Sequence, residues 1–311
     1  MKKDLQQLFN EFMYECEYVR KVRPETLRGY KQTFDTFYKL MPSIGIESIT
    51  PSSMIQFFKI LQERKRVVGR GLIKVGIKKS TAATYWSKLN SFFEWLKVRK
   101  YIKNNPFEVM EYPVPEYVDK KFLKKEEIEK ILAAVHNQGN KNILLLKRNL
   151  SIFYILLFCG LRREELILLQ VRDIDFERRI VTVRGETSKS GRSRQLPLHS
   201  IVAMHLKDYL HERRHYVTPY LIVSAVRDDK LSYDGLLHFV NRIKKTSGVE
   251  FHLHRFRHTF AVNFLQTSNN IAMLKQLMGH NDIRMTMVYL RCLPTDEMRG
   301  DIEQMSVDRL I

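Results

Sequence analysis

The segment FHLHRFRHTFA, Phe251–Ala261, puts three histidines and two arginines between His252 and His258. Like charges packed this closely repel, so a fold tolerates the cluster only if something offsets it. Three readings are open: a phosphate seated against the cations, a metal held by neutral histidines, or a solvated helix face. On a helix His254 and Arg257, three apart, share one face, and His258, four from His254, lies close to them. His252 and Arg255 point elsewhere, to solvent or to a nucleic-acid backbone. Two arginines in one helical turn would repel a metal cation, which sets the zinc reading aside and leaves no metal ligands assigned.

The bulk composition favours the phosphate. The chain has 311 residues, a length that suits two domains or one large one, and 44% are hydrophobic, as in a globular protein. Lys and Arg number 53 against 34 acidic residues, a formal net charge of +19. That excess points to a polyanionic partner, nucleic acid ahead of a merely basic enzyme or an anionic membrane surface. No run of 18 apolar residues marks a membrane span, and MKKDLQQLFNEF lacks the apolar stretch of a signal peptide. Cys16, Cys159 and Cys292 are few and widely spaced, which suits a reducing compartment and a cytoplasmic location.

A proline-containing, aperiodic stretch, NNPFEVMEYPVPEYVDK, divides the chain. We expect a helical domain over residues 1–112, a linker over 113–121 and a second domain over 122–311. In the first part, helices are predicted over Thr26–Leu40, over Pro51–Leu61 with Ile55, Phe58 and Leu61 on one face, and over Ser80–Val98 with Tyr85, Leu89, Phe92, Phe93 and Leu96 as its stripe. These aromatics read as core rather than as base-stacking groups. Between the second and third helices, RKRVVGRGLIKVGIKK carries seven basic residues and no acid. It reads as a glycine-containing loop whose Arg64, Lys65, Arg66, Arg70, Lys74, Lys78 and Lys79 track a phosphate backbone. After the linker, LKKEEIEKILAAV opens a helix and Arg148–Phe158 forms an apolar one. The segment DIDFERRIVTVRGETSKSGRSRQLPL then reads as a three-stranded antiparallel sheet, and the remainder returns to helix. The fold class is therefore mainly α, a helical bundle followed by a mixed domain with one small sheet.

Three further pieces converge with the quoted segment on one site. In GLRREEL, the glycine ends a helix and Arg162 stands at the start of the next, with Glu165 three residues on and able to hold it. Lys189 lies in the turn TSKSGRS between two predicted strands. Gly279-His280 reads as a turn into a helix, with Tyr289 nine residues beyond the histidine. The sequence from Arg162 through Lys189, His254-Arg255-Phe256-Arg257-His258 and Gly279-His280 to Tyr289 resembles the tyrosine recombinase (phage integrase) family in order and spacing. The resemblance covers most of Phe122–Leu293. The N-terminal part, with KKSTAATYWSKLNSFFEWL followed by NNP, is similar to that family's core-binding domain, a SAM-like helical bundle, and the second part to its DNA breaking-rejoining fold.

The resemblance implies a site-specific recombinase of the simple, Xer-like two-domain type, cutting and rejoining DNA through a 3′-phosphotyrosyl bond without metal, ATP or other cofactor. Arg162 and Arg257 would fork onto the non-bridging oxygens of the scissile phosphate, a match lysine cannot make. His280 would add a donor, Lys189 would protonate the leaving 5′-hydroxyl, and Tyr289 would be the nucleophile. We expect the cationic pocket to lower the Tyr289 pKa, His254 to assist its proton, and His258 to support the site. The partner is then double-stranded DNA with paired inverted sites. The segment after Tyr289, with apolar Met298, Ile302 and Met305, is expected to dock on a neighbouring protomer and link a homotetramer. A type IB topoisomerase-like nicking-closing enzyme is the alternative that shares this chemistry.

Overall fold

The structure is a computed structural model that describes residues 3–69, 71–115, 122–138 and 142–292. The chain separates into two compact units, Met1–Val118 and Asp119–Ile311. Among the described residues both are mainly helical, and each carries one small antiparallel sheet.

Among its described residues the first unit has four α-helices. Helix α1 spans Leu5–Tyr14 and is closed at its start by a reciprocal Asp4–Gln7 capping box. Helix α2 spans Pro24–Leu40, with proline in its first turn where the missing N–H costs nothing. Helix α3 spans Pro51–Glu63 behind a Thr50–Ser53 cap. Helix α4 spans Lys79–Val98. Their inner faces interlock through aromatic rings: Phe9 stacks on Phe34 with centroids 3.8 Å apart, and Phe92 meets both edge-on. A buried phenylalanine of this kind costs about 3–5 kcal/mol to truncate. The aromatics of α4 are thus core. The buried face of α3 differs from the expected one: Met54, Phe57 and Leu61 point inward, while Ile55 is 60% exposed. A one-residue shift of an apolar stripe is a small rotation on a helix, and MIQFFKIL fits either phase.

The segment read as a loop folds instead as an antiparallel hairpin, β1 (Lys65–Val68) against β2 (Leu72–Val75), with Lys65 opposite Val75 and Val68 opposite Leu72. Its β-branched residues suit a pleated strand. Its glycines work as punctuation: Gly69, Gly71 and Gly76 all have positive φ.

In the second unit, helix α5 spans Lys125–Gln138 and α6 spans Ile143–Cys159. Helix α6 is apolar on nearly every side because it lies inside the unit, flanked by α5, by α8 (Ser200–Glu212) and by α10 (Leu253–Ser268). The short helix α7 (Arg163–Ile167) follows, then a three-stranded sheet in the order β3 (Ile174–Asp175), β4 (Ile180–Val183), β5 (Arg194–Pro197). Val181 pairs with Leu196 and Val183 with Arg194, so these four share the inward face. Helices α9 (Tyr233–Ser247), α11 (Ile271–Met278) and α12 (Arg284–Met287) are the remaining α-helices among its described residues.

Candidate active site

Helix α6 stops at Gly160, whose φ of +55° is the left-handed cap that glycine adopts without strain. A Cβ here would lie 2.4 Å from the Phe260 ring, so glycine also lets α10 approach. The chain then turns so that Arg162 caps α7. Its backbone N–H donates to the Glu165 carboxylate at 2.9 Å, and its guanidinium donates to the same carboxylate at 3.0 Å.

Glu165 is only 1% exposed, and the residue that neutralises it was not anticipated. Arg194 forks onto both carboxylate oxygens, at 2.9 and 2.7 Å, and its Nε donates to the Leu277 carbonyl at 2.8 Å. Burial on its own pushes the Glu165 carboxyl up, but the Arg194 fork and the Arg162 contacts outweigh it and hold the pKa at about 2. The sheet register carried a signal: Arg194 stands two residues before inward-facing Leu196, and an inward cation needs an anion.

Helix α10 supplies three groups. Arg257 is buried and donates to the Gly160 and Met278 carbonyls, each at 2.5 Å. Burial, then the charge of Arg162, pushes its pKa below the ordinary guanidinium value. His254 is exposed at the cleft, and its pKa is lowered by burial of part of its ring and then by His252 and Arg257. His258 stands one turn further on, with its Nδ1 3.0 Å from the Tyr289 hydroxyl.

Gly279, at φ +62°, ends α11, and the chain enters His280 directly. His280 Nδ1 lies 2.9 Å from the Thr286 hydroxyl and Nε2 lies 3.2 Å from Arg257 Nη2. Arginine can only donate, so Nε2 accepts and Nδ1 carries the proton toward Thr286. In this arrangement His280 Nε2 is turned to Arg257. Tyr289 follows α12 and packs among Ala261, Val262, Leu265, Leu274 and Met278, 2% exposed.

Arg162, Glu165, Lys189, His254, Arg257, His258, His280 and Tyr289 all line one cleft of about 600 Å³. Lys189 reaches it from the exposed turn between β4 and β5. Two expectations about proton chemistry change. Burial pushes the Tyr289 phenol up to about 12, and the opposing pull of Arg257 and Arg162 does not cancel it. The phenol is also hydrogen-bonded to His258, which was expected only to support the site while His254 assisted the proton.

The remaining cations divide. Arg255 donates to the Glu250 and Phe122 carbonyls at 2.6 and 2.9 Å and to Glu127 at 2.8 Å, so it ties α10 to the start of α5 rather than facing solvent or DNA. His252 is exposed. In the first unit Lys65, Lys74, Lys78 and Lys79 lie at the surface of the hairpin and the start of α4. Arg66 is turned onto its own hairpin, donating from Nε and Nη2 to the Gly76 carbonyl. Arg64 is partly buried, and Arg70 lies outside the described residues, as does the segment beyond Cys292. Among the described residues no group of three His, Cys, Asp or Glu side chains could hold a metal ion.

Comparison with known proteins agrees with this geometry. Residues 121–295, more than half of the chain, match the family model described as the phage integrase family. The chain is 32% identical over 186 residues to the tyrosine recombinase XerA of Pyrococcus horikoshii, a match covering 59% of this chain and 61%, under two thirds, of that protein. It is 23% identical over 294 residues to the tyrosine recombinase XerC of Oceanobacillus iheyensis, covering 92% of this chain and 91% of that one. Its fold is similar to that of the Tn1549 transposon integrase solved in complex with transposon right end DNA, with a TM-score of 0.76 at 19% identity over 97% of this chain and 99% of that one. The chain belongs to the phage integrase family of tyrosine recombinases.

Proposed function

We propose that this chain is a site-specific recombinase that cleaves and rejoins DNA strands with Tyr289 as nucleophile. The observation that carries the reading is the Tyr289 hydroxyl, 3.0 Å from His258 Nδ1, inside the cleft that also holds Arg162, Arg257 and Lys189. In the forward step the Tyr289 oxygen bonds to phosphorus and the P–O5′ bond breaks. The phenol proton passes to His258, and Lys189 delivers a proton to the departing 5′-oxygen. Negative charge grows on the non-bridging oxygens, where Arg162 and Arg257 present N–H donors held by Glu165, Gly160, Met278 and His280. The phosphotyrosyl bond retains the energy of the bond it replaced, so rejoining is the same path reversed. Neither direction calls for a metal or nucleotide.

In this reading residues 1–112 grip the duplex and residues 122–311 perform the chemistry on paired inverted sites. The net charge of +19 suits that grip. The segment after Tyr289 links protomers into a tetramer through Met298, Ile302 and Met305. A lambda integrase tetramer bound to a Holliday junction has a similar fold, with a TM-score of 0.70 at 18% identity. The work is cytoplasmic, and no helix among the described residues is long and apolar enough to cross a membrane. A topoisomerase-like nicking reaction would use the same groups, but relatives matched over more than nine-tenths of their length are named tyrosine recombinases. Covalent capture decides between them. Cells expressing the chain or its Tyr289→Phe variant are lysed in denaturant and protein-linked DNA is sequenced. Tyr289-dependent adducts at paired inverted sequences support recombination, and scattered adducts support the topoisomerase-like reading.

A further inference from the structure

The β1–β2 hairpin has a surface that its own unit does not use. Residues opposite each other in an antiparallel pair share a face. One face therefore carries Lys65 and Val75, then Val67 and Ile73. Val67, Ile73 and Val75 are 74%, 63% and 64% exposed. Three β-branched apolar side chains in a row, turned to water, gain nothing from folding. An isolated two-stranded hairpin is marginal in water, yet this one is anchored at its base. Arg66 forks onto the Gly76 carbonyl, and Gly76 N–H donates to the Arg64 carbonyl at 3.1 Å. A Cβ at Gly76 would lie 2.7 Å from the Gln62 carbonyl oxygen, so the close seating of the hairpin on the end of α3 depends on glycine. The result is a pre-shaped projection with an apolar strip and a basic surround.

Charge identifies what the strip meets. From Arg64 to Lys79 there are seven basic residues and no acid. A second copy of the hairpin would bring the same cations against these and be repelled, whereas DNA would be attracted. Groove dimensions narrow the choice. The major groove, about 12 Å wide and 8.5 Å deep, admits a two-stranded ribbon, and the minor groove, about 6 Å wide, does not without deformation. Four residues per strand reach about 14 Å, enough to span that depth. Inside the major groove the apolar group that valine and isoleucine can recognise is the thymine methyl.

Resting on the reading that the chain acts on DNA, we propose that the β1–β2 hairpin enters the major groove as a base-reading ribbon, with Val67, Ile73 and Val75 against thymine methyls and Lys65 and Lys74 on the flanking phosphates. The hairpin then contributes sequence preference, beyond the backbone tracking that its charge alone provides.

The test uses the full chain and the duplex recovered by covalent capture. Each thymine is replaced in turn by deoxyuridine, which removes one methyl and changes no hydrogen bond. Binding is followed by fluorescence anisotropy. At one or more positions the wild-type chain should lose about three- to fourfold in affinity per methyl removed. The Val67→Ser, Ile73→Ser, Val75→Ser triple variant should bind thymine and uracil duplexes equally, while Lys65→Ala with Lys74→Ala should flatten the salt dependence and keep the thymine preference. Equal wild-type binding to every uracil duplex would overturn the inference without any variant being needed. So would a triple variant that keeps the thymine preference, including one that loses self-association instead, which would make the strip a protein contact. Tyr289-dependent adducts together with no methyl effect would sink the hairpin reading alone. Absence of adducts together with no binding to any mixed-sequence duplex would sink it together with the proposed function.

Discussion

Replacing Arg194 with alanine should destabilise the second unit by about 3 kcal/mol at neutral pH. The Glu165 carboxylate is held at a pKa of about 2 although almost wholly buried. The gap from an ordinary carboxyl, near 4.3, is worth about 3 kcal/mol of pairing. Removing one partner of a buried pair costs a similar 3–5 kcal/mol, because the remaining charge is stranded. Arg162 keeps its own contacts to Glu165, which limits the loss, while the Arg194 bond to Leu277 goes too. The pH dependence carries more information than the size. In the wild type the folded carboxyl lies below its unfolded value, so its contribution is full above about pH 4.5 and drains away as pH falls toward 2. In the variant Arg162 alone is left to oppose burial, so the folded carboxyl rises from about 2 toward its unfolded value. Less of the variant's stability is then lost on acidification. The stability gap between the two proteins should therefore narrow from pH 7 to pH 4. Urea unfolding should be followed by far-UV circular dichroism, since Trp86 and Trp95 both lie in the first unit and report on it alone. A variant within 0.5 kcal/mol of wild type at neutral pH, a scatter about that of a surface substitution, would refute the argument, as would a gap that ignores pH.

Tyr289→Phe should abolish covalent adducts yet leave unfolding within about 1 kcal/mol of wild type, since the ring keeps its packing and the bond to His258 is worth about that much. His258→Gln should slow single-turnover cleavage by about 10²–10⁴-fold and His254→Gln by less, because only the former bonds the phenol; the reverse order would return the proton role to His254. Arg257→Lys keeps a charge but cannot fork to both Gly160 and Met278, so cleavage should fall at least about 10²-fold with most DNA affinity retained. Gly160→Ala meets a positive φ and the Phe260 ring together and should cost at least about 1 kcal/mol, visible as a lowered urea midpoint.

How far the sequence could be read depended on whether a feature was local. Helices α2 and α4 were legible because their apolar residues recur at helical spacing, and α6 because a continuous apolar run ends at a glycine. The clustered motifs around Arg162, His254 and Tyr289 were legible because each is short and their order is distinctive. The hairpin at Lys65–Val75 was missed because three glycines look alike whether they loosen a loop or shape a turn. Arg194 was missed for a different reason. Its partner Glu165 is 29 residues away, and nothing short of the strand register brings them together. The raised Tyr289 pKa was hidden because cations can be counted in a sequence, whereas the desolvation that outweighs them is a property of the packed site.

Helix α10 holds a consequence for how this centre can vary. His254, Arg257 and His258 ride on one rod, and that rod is pinned by Arg255 to Phe122 and Glu127 and by Thr259 to the Leu123 amide. Their mutual spacing is therefore a fixed ruler. Adjustment to a different scissile geometry has to come from the pieces that meet the ruler: the Lys189 turn, the cap of α7 and the short segment that delivers Tyr289. An engineer seeking altered behaviour would leave α10 untouched and vary the lengths of those three arrivals.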